Sequence, residues 1–451
     1  MARQLFGTDG IRGVAGEYPL DPATAHAFGA ALGRWAGGAA ADPEVVIGMD
    51  TRESGPWLAR QVAGGLERYG VRTRFAGLIT TPGVAYLTRT QSFVAGVMIS
   101  ASHNPYQDNG IKVFDHSGFK LPDEVEHALE EDIFRLRAEG GEPGTRDLLV
   151  DESLDETYID FLASVAGASL AGLTIVLDCA NGAASHLAPE LFERLGAHVY
   201  SLGCLPNGRN INLNCGALHV ESLRGSVVEK GADIGIAFDG DADRAIFVTS
   251  TGKIASGDHV LMMCGKDLLR RGKLSSKEGE PLVVATIMSN LGLERALEAA
   301  GIQLVRTAVG DKYVLEEMLA RGAMLGGEQS GHVIFREHAT TGDGLLTALQ
   351  VLQVMRNSGR SLDELAGDLE IYPQVLVNVR VKTKRPLKEL PPVNEEIRAA
   401  EAEFGEAGRI VVRFSGTEPL ARVMVEGPEE KRVQQAAERI ANVIRSELGG
   451  V

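Results

Sequence analysis

Three stretches of the chain share one local pattern, in which a short apolar run is followed by a small polar turn and then by a helix. The apolar runs are Val45–Met49, Thr174–Leu177 and Leu282–Ile287. They recur at intervals of roughly one hundred residues or more, which indicates a weak internal repeat. A strand, a tight turn and a covering helix form the unit of an α/β domain. The sequence therefore predicts three related α/β domains.

The last part of the chain has a different pattern. After Ile371–Pro373, three segments largely alternate apolar and polar residues: Gln374–Val381, Arg409–Phe414 and Ala421–Glu426. Such alternation is typical of half-exposed antiparallel strands. A final amphipathic helix over 429–448 would cover one face of their sheet. This part is predicted to form a smaller α+β domain.

With 451 residues, the chain is long enough for three or four domains of ~100–150 residues each. The predicted fold class is α/β, with three related mixed-sheet domains and a smaller C-terminal α+β domain. Three prolines predict a loop or linker over 382–394. The predicted domains cover residues 1–153, 154–253, 254–370 and 371–451.

The net charge of the chain limits the kinds of molecule that it is expected to bind. A net charge of −16 argues against a nucleic-acid surface and against attraction to anionic membranes. A phosphorylated substrate stays open, because its site can be locally basic. No segment has the ~18 consecutive apolar residues of a membrane-spanning helix, and the first residues lack a signal-peptide core. The four cysteines have no C-x-x-C spacing, so we expect neither disulfides nor a zinc site, and a reducing cytoplasm fits.

The apolar run Phe93–Ile99 has the length of a buried strand, and it ends in Ser100-Ala101-Ser102-His103-Asn104-Pro105. Asn-Pro indicates a tight turn, which places Ser102 at the tip of a rigid element with His103 beside it. α/β proteins carry reacting groups at such strand ends. A serine hydroxyl is a poor nucleophile unless a base, a metal or prior phosphorylation activates it. Alone, this motif is more typical of an ordinary polar loop.

A second strand, Ile234–Phe238, leads into Asp239, Asp241 and Asp243. In an extended strand, alternate residues lie ~6.6 Å apart, too far for three carboxylates to bind one Mg²⁺ at ~2.1 Å. The chain must therefore curl around a cation, or the loop is a solvated acidic turn. An EF-hand is excluded, since Arg244 and Ser250 occupy its glycine and glutamate positions. Oxygen ligands favour Mg²⁺, and a serine beside Mg²⁺ suggests phosphoryl transfer.

Three more loops carry polar groups on glycine-rich backbone. Gly326–His332 offers a carboxylate, an amide, a hydroxyl and an imidazole, a set suited to a polyhydroxylated ligand. Arg413–Pro419, followed by Arg422, combines arginines, hydroxyls and free amides, which suit a phosphate group. Near the N-terminus, Arg12 lies among closely spaced glycines, which suggests backbone that approaches another group closely. Each loop alone is also compatible with an ordinary surface turn.

Taken in order along the whole chain, four motifs resemble those of the α-D-phosphohexomutase superfamily: Ser100–Pro105, Asp239–Arg244, Gly327–His332 and Arg413–Pro419. Within this superfamily, Gly327–His332 (the sugar loop), Gly7–Gly13 and Thr341–Gly344 resemble the motifs of the branch that acts on glucosamine phosphates. This resemblance implies four domains around a central cleft. It also implies interconversion of glucosamine 6-phosphate and glucosamine 1-phosphate, on the route to UDP-N-acetylglucosamine and peptidoglycan.

The resemblance implies a phosphoserine at Ser102, one Mg²⁺ per subunit and a hexosamine 1,6-bisphosphate as intermediate and activator. It also implies a small-molecule sugar phosphate as the partner and leaves a homodimer open. The implied Mg²⁺ ligands are a phosphoserine oxygen at Ser102 and the carboxylates Asp239, Asp241 and Asp243. The implied acid/base groups and their supporting residues are Lys112, His332, Arg12 and His103. The implied substrate-binding residues are Glu328, Gln329, Ser330, Arg413, Ser415, Gly416, Thr417 and Arg422.

One stretch departs from that branch. After Cys215-Gly216 the branch usually has Ser-Thr-His, and this chain has Ala217-Leu218-His219. No catalytic role is assigned to this stretch, so the departure leaves the expected function intact. Three alternatives stay open: a phosphomannomutase or phosphoglucomutase of the same superfamily, a metal-dependent serine phosphatase, and a non-catalytic sugar-phosphate sensor. Gln329 is the residue expected to discriminate among the sugars.

Overall fold

A computed structural model describes residues 4–7, 9–140, 143–415 and 419–449. Its first sheet has six strands in the order β1-β2-β6-β5-β3-β4. The strands are β1 Phe6–Gly7, β2 Gly10–Val14, β3 Glu44–Met49, β4 Arg72–Leu78, β5 Ala95–Ile99 and β6 Asp108–Asp115. The helices of this domain are α1 Pro22–Gly37, α2 Gly55–Glu67, α3 Thr81–Thr90 and α4 Asp123–Glu139. Every residue of β5 is buried.

The second sheet has five strands in the order β11-β10-β9-β7-β8, and the third has four in the order β13-β12-β14-β15. The second set of elements comprises α5 Ser153–Ala166, β7 Thr174–Asp178, α6 Ala184–Arg194, β8 His198–Leu202, α7 Glu221–Lys230, β9 Ile234–Phe238, β10 Ala245–Thr249 and β11 Ile254–Ala255. The third comprises α8 Gly257–Arg270, β12 Leu282–Thr286, α9 Leu291–Glu298, β13 Gln303–Thr307, α10 Asp311–Arg321, β14 Leu325–Gly327, β15 Val333–Phe335, α11 Gly344–Ser358 and α12 Leu362–Ala366.

The three sheets contain the same four-stranded core. Each core has three parallel strands and one antiparallel strand: β4-β3-β5-β6, β8-β7-β9-β10 and β13-β12-β14-β15. The second core has the same directions as the first. The predicted internal repeat and the mixed-sheet α/β fold class are therefore confirmed. Similarity of topology persists here although few residues are identical, because buried strands require only apolar side chains of suitable size.

Equivalent strands of the three cores lead into the three predicted site loops. Strand β5 ends before Ser100–Pro105, β9 ends before Asp239–Arg244, and β14 ends before Glu328–His332. In each core this strand lies between a parallel neighbour and the antiparallel strand. The carboxyl ends of such strands are the positions where α/β sheets place reactive loops. The repeat therefore supplies three comparable loops to one region.

The fourth domain is an α+β unit, as predicted. Its antiparallel sheet has the order β16-β18-β17. The strands are β16 Gln374–Arg380, β17 Arg409–Phe414 and β18 Leu420–Glu426, and the helices are α13 Pro391–Phe404 and α14 Glu430–Leu448. The loop predicted over 382–394 ends early, because α13 begins at Pro391. Proline lacks an N–H and has a helical φ, so it fits the first positions of a helix and does not exclude one.

None of the helices among the described residues is both long enough and apolar enough to cross a membrane.

Candidate active site

The serine loop is held by its own hydroxyl and amide groups. Oγ of Ser100 donates to Oδ2 of Asp50 at 2.6 Å, and the N–H of Ser102 donates to Oγ of Ser100 at 2.9 Å. Ser102 is buried and adopts a left-handed backbone conformation with φ of 52°. Its Oγ donates to Oδ2 of Asp239 at 2.7 Å. The structure thus joins Ser102 of the first domain to the acidic loop of the second.

The acidic loop, Asp239–Arg244, curls, which is one of the two outcomes that its spacing left open. Ala242 adopts φ of 57°, and carboxylate oxygens of Asp239, Asp241 and Asp243 lie within 4.8 Å of one another. Burial raises the pKa of Asp239 well above its usual range, and the neighbouring carboxylates raise it further. The pKa of Asp243 is also raised, by burial and by Asp241. Three buried carboxylates at this separation repel one another unless cations compensate them.

The donor set of this loop fits a divalent cation. Among the described residues, Oδ1 of Asp241 and Oδ1 of Asp243 are buried and have no hydrogen-bond partner. Buried polar atoms normally have partners, so these two oxygens are available to coordinate a cation. Carboxylate oxygens together with a serine oxygen are hard ligands, which suit Mg²⁺. Asp239, Asp241, Asp243 and Ser102 are therefore the residues that would hold it.

Lys112 lies on β6 and is fully buried against this loop. Its Nζ donates to Oδ2 of Asp241 at 2.7 Å and lies 3.0 Å from Oδ2 of Asp9. Burial alone would lower the pKa of Lys112, but Asp241 and Asp9 outweigh it and raise the pKa. Conversely, burial would raise the pKa of Asp241, but Lys112 lowers it to about 2. Lys112 is therefore an ammonium group in this arrangement.

The ion pairs continue from Lys112 into the third domain. Nζ of Lys120 forms ion pairs with Oδ1 of Asp9 at 2.6 Å and with Oδ2 of Asp311 at 2.5 Å. Asp311 begins α10, and its Oδ2 lies 3.9 Å from Nε2 of His332. This network of alternating charges links the first, second and third domains. Charged groups that are buried need such pairing, because an unpaired ion loses its hydration without compensation.

His103 is a neutral side chain in this site. Burial, with Arg244 and Arg12 nearby, lowers the pKa of His103 to about 4. Its Nδ1 accepts from Nη1 of Arg244 at 3.2 Å and lies 3.4 Å from Oγ of Ser102. Arg12 forms an ion pair with Asp9 on the other side of the loop. His103 therefore acts near Ser102 as an acceptor for arginine rather than as a cation.

The N-terminal loop approaches β6 closely, as its glycines suggest. A Cβ at Gly10 would lie 2.2 Å from the carbonyl oxygen of Ile111, so no side chain fits there. Arg12 lies on β2, opposite Gly110 of β6. This pairing places Arg12 on the strand beside the one that carries Lys112. Its predicted place near the serine is consistent with that geometry.

His332 is buried, and one of its nitrogens has a fixed role. The N–H of Gly342 donates to Nε2 of His332 at 3.2 Å. An acceptor nitrogen carries no proton, so the neutral imidazole has its proton on Nδ1. Among the described residues, Nδ1 has no hydrogen-bond partner. A Cβ at Gly342 would lie 2.5 Å from ring atoms of His332, so the glycine gives the ring its space.

The sugar loop accepts hydrogen bonds from backbone N–H groups of neighbouring segments. Oε1 of Glu328 accepts from the N–H of Gly310 at 3.1 Å, and Oγ of Ser330 lies 3.5 Å from Oε2. The carbonyl of Gln329 accepts from the N–H of Gly257 at 3.0 Å. The Gln329 side chain is half-buried and Ser330 is exposed. The loop is thus fixed while its polar side chains are left accessible.

The two arginines of the predicted phosphate loop, Arg413–Pro419 with Arg422, lie on the strands of the fourth sheet. Arg413 and Arg422 face each other across β17 and β18. Burial and the neighbouring Arg422 lower the pKa of Arg413. Ser415 is buried, and its carbonyl accepts from Nζ of Lys384 at 2.6 Å. Three cations therefore gather here, an arrangement suited to an anion. The predicted residues Gly416 and Thr417 lie outside the described residues.

Several residues of the site were not predicted. Arg244 ends the acidic motif and Asp9 lies within Gly7–Gly13, so their positions in these motifs are the sequence signal for a role in the site. Lys120 and Asp311 give no local signal, because they meet only after the first and third domains have packed. Lys384 gives none because its partner Ser415 is 31 residues away in the chain.

The fold and the site define a class of protein, the four-domain phosphohexomutases, which are isomerases of sugar phosphates. The models of the phosphoglucomutase/phosphomannomutase family match its α/β/α domains I, II and III and its C-terminal domain at residues 3–139, 156–252, 256–372 and 376–443. The phosphoglucosamine mutase of Solibacter usitatus (strain Ellin6076) is 62% identical over 449 residues, covering 100% of both chains. The chain belongs to the phosphoglucomutase/phosphomannomutase family, and within it to the phosphoglucosamine mutases.

Other relatives agree with this assignment. The phosphoglucosamine mutase of Koribacter versatilis (strain Ellin345) is 52% identical over 456 residues, covering 99% of this chain and 98% of that one. A crystal structure of a phosphoglucomutase/phosphomannomutase family protein from Burkholderia thailandensis has a TM-score of 0.79 at 24% identity, with 97% of each chain covered. Aspergillus fumigatus N-acetylphosphoglucosamine mutase, solved with GlcNAc-6P and magnesium, has a TM-score of 0.64 at 17% identity, covering 98% and 96%. These two structures show the shared fold.

Proposed function

We propose that the protein interconverts glucosamine 6-phosphate and glucosamine 1-phosphate through a phosphorylated Ser102. The observation that carries this proposal is the contact between Oγ of Ser102 and Asp239 within a cluster of three buried carboxylates. A hydroxyl at that position can carry a phosphoryl group whose charge a cation and Lys112 balance. The identity of 62% with a named phosphoglucosamine mutase supports the amino-sugar substrate.

The reaction requires two transfers. First, a sugar hydroxyl attacks the phosphorus of phosphorylated Ser102, the bond to Oγ breaks, and a hexosamine 1,6-bisphosphate forms. The sugar then turns over in the cleft, and its other phosphate returns to Oγ of Ser102. Bound Mg²⁺ would neutralise charge on the moving phosphoryl group. One phosphate is therefore always held away from Ser102, a task that we assign to Arg413, Ser415, Gly416, Thr417 and Arg422.

Proton transfer needs one donor and one acceptor at the cleft. Lys112, which is an ammonium group beside the acidic loop, is the proposed donor to the leaving oxygen. His332 is the second proposed acid/base group. We assign support of the phosphoryl site to Arg12 and His103, and contacts with the sugar hydroxyls to Glu328, Gln329 and Ser330.

The proposal extends to the cellular location, the binding partners and the oligomeric state of the protein. A cytoplasmic location is supported by four free cysteines, which persist in reducing compartments. The acidic net charge of −16 supports a protein without a nucleic-acid or membrane partner. The homodimer and the domain boundaries after residues 153, 253 and 370 stay predictions.

Peptide mass measurement tests the phosphoserine directly. Purified protein treated with hexosamine 1,6-bisphosphate should gain one phosphoryl group on the Ser102 peptide, and glucosamine 6-phosphate should remove it. Release of inorganic phosphate in step with substrate loss would instead support the phosphatase. Absence of both charging and turnover would support the sensor.

Comparison of kcat/KM on glucosamine, glucose and mannose phosphates tests the substrate. We expect glucosamine phosphate to be preferred. A preference for mannose or glucose phosphate would move the protein to the phosphomannomutase or phosphoglucomutase alternative.

A further inference from the structure

The carbonyl groups of the serine loop are held by donors from two domains. The carbonyl of Ser102 accepts from Nη2 of Arg52 at 2.9 Å and from Nδ2 of Asn212 at 2.9 Å. The carbonyl of Asn104 accepts from the same two groups, at 2.8 Å and 3.2 Å. Arg52 belongs to the first domain and Asn212 to the second. Each carbonyl has two acceptor positions, and both are used here.

Arg52 is anchored before it reaches the loop. Its guanidinium is fully buried, and its Nε donates to Oδ2 of Asp50 at 2.9 Å. The same Asp50 oxygen accepts from Ser100. Nη1 of Arg52 also donates to the carbonyl of Asp108 at 2.9 Å, at the far end of the loop. A planar guanidinium with fixed donor directions therefore sets the path of the whole loop.

Asn212 joins this arrangement from the segment between β8 and α7. Its own N–H donates to the carbonyl of Ala180 at 2.8 Å, which fixes it to the second domain. Gly240 of the acidic loop leaves the necessary space, since a Cβ there would lie 2.4 Å from the carbonyl of Ser102 and 2.8 Å from Nδ2 of Asn212. The serine loop, Asn212 and the acidic loop thus meet at one point.

Ser102 needs such support because of its backbone conformation. A φ of 52° is unfavourable for a residue with a side chain, and it persists only where surrounding groups hold it. That conformation aims Oγ at Asp239. Loss of either donor would let the loop relax toward ordinary dihedral angles and would move Oγ away from the acidic loop.

We propose that Asn212, together with Arg52, is a positioning residue for phosphoryl transfer, whose side-chain amide fixes the serine loop of the first domain against the acidic loop of the second. The inference rests on the proposed function. It assigns Asn212 no contact with the sugar. Its loss should therefore slow the transfer step and leave sugar-phosphate affinity unchanged, because positional errors near 1 Å reduce transfer rates by about 100-fold.

The test is Asn212→Gly, which removes the amide but tolerates the positive φ of 58° at this position. Asn214→Gly is the matched control, since Asn214 lies in the same segment with φ of 52° and is exposed. Dephosphorylated proteins with Mg²⁺ are mixed with hexosamine 1,6-bisphosphate, and the phosphorylated Ser102 peptide is followed by mass over time. We expect charging to be about 10- to 100-fold slower in Asn212→Gly than in the control.

Sugar-phosphate dissociation constants and melting temperatures are measured on the same proteins. A merely structural role would change all three quantities, whereas a positioning role changes the charging rate alone. If Asn212→Gly does not fold, Asn212→Asp is measured in its place. Aspartate keeps the shape of the side chain but places an acceptor oxygen, instead of the donor, opposite the two carbonyls. Equal charging rates in the folded variant and the control would overturn the inference. Failure of the unaltered protein to charge at Ser102 would instead contradict the proposed function.

Discussion

Individual residues of this site have different protonation states because their neighbours differ. Lys112 keeps its proton between Asp241 and Asp9, whereas burial and two arginines keep His103 neutral. In a hydrolase triad a neutral histidine accepts the serine proton, but here Oγ of Ser102 donates to Asp239 and Nδ1 of His103 accepts from Arg244, so His103 is not placed to take that proton. The residue chemistry thus favours a serine that carries a phosphoryl group over one that attacks as a free alkoxide.

The first prediction concerns Ser102→Ala. This variant should lose at least about a thousandfold of the mutase kcat, as loss of a covalent nucleophile does in other enzymes. The melting temperature should stay unchanged, because Oγ makes few contacts besides Asp239. Steady-state kinetics and circular dichroism check both statements, with the exposed Ser164→Ala as the control. Turnover near that of the unaltered protein would exclude the phosphoserine mechanism.

The second prediction concerns Gly342→Ala. The new Cβ would lie 2.5 Å from the His332 ring, so the imidazole must move and loses its bond from the Gly342 amide. We expect kcat to fall about 10- to 100-fold and the ¹⁵N shifts of His332 to leave the pattern of an Nδ1-protonated ring. Gly225→Ala, which has open space around it, is the control. An unchanged ¹⁵N pattern would show that the amide does not fix the tautomer.

At the scale of elements, the first turn of α8 contains a buried carboxylate. Oδ2 of Asp258 accepts from the N–H of Asn290 at 2.8 Å, between α8 and the start of α9. Burial raises the pKa of Asp258 to about 6, against ~3.9 in an unfolded chain. The folded protein therefore binds this proton more tightly than the unfolded chain does. The resulting stabilisation is complete below about pH 4 and is lost as the pH rises through 6.

The third prediction concerns Asp258→Asn and follows from this loss of stability at higher pH. Asp258→Asn mimics the protonated group at every pH, so it should unfold at a higher temperature than the unaltered protein at pH 8 and at nearly the same temperature near pH 4. The difference corresponds to up to about 3 kcal/mol, from roughly two pKa units. Thermal unfolding between pH 4 and 8 measures it, with Asp42→Asn at the surface as the control. A pH-independent difference would contradict the raised pKa.

At the scale of the whole molecule, the fourth domain is attached at one end of its sheet. Arg409 and Gln374 lie at the starts of β17 and β16, and both bond to the buried Glu426. The same two side chains donate to the carbonyls of Ser289 and Met288 in the third domain. Arg413, near the end of β17, and Arg422, near the start of β18, lie toward the opposite end of this sheet. A small rotation at the attachment would therefore displace these two arginines by a larger distance.

The fourth prediction concerns Arg409→Met. It removes the ion pair from Glu426, which is fully buried, and weakens the attachment of the fourth domain. A hydrogen bond to a charged group contributes about 1.5–3 kcal/mol, so the KM for sugar phosphate should rise about 10- to 100-fold. Small-angle X-ray scattering should show a larger radius of gyration. Arg432→Met, an exposed pair in the same domain, is the control; equal KM and scattering in the two variants would exclude this role.

The fold class and the order of the site loops can be read from the amino-acid sequence alone. Apolar runs ended by small polar turns, such as Ile234–Phe238 before Asp239, specify buried strands and their loops locally, because burial and turn chemistry act over neighbouring residues. The curl of the acidic loop was one of two outcomes that the sequence left open, since three carboxylates could not share a cation in an extended chain.

The contacts between groups that are distant in the chain became visible only in the folded protein. The pairing of Lys120 with Asp311 and the bond from Asn212 to the serine loop join residues of different domains, and Arg52 meets that loop from 50 residues away in the chain. Protonation states depended on the same step, because the pKa of Lys112 or His103 is set by burial and by charges that arrive with other domains. Electrostatic interactions follow distance in space, not position along the chain, so no local pattern contains them.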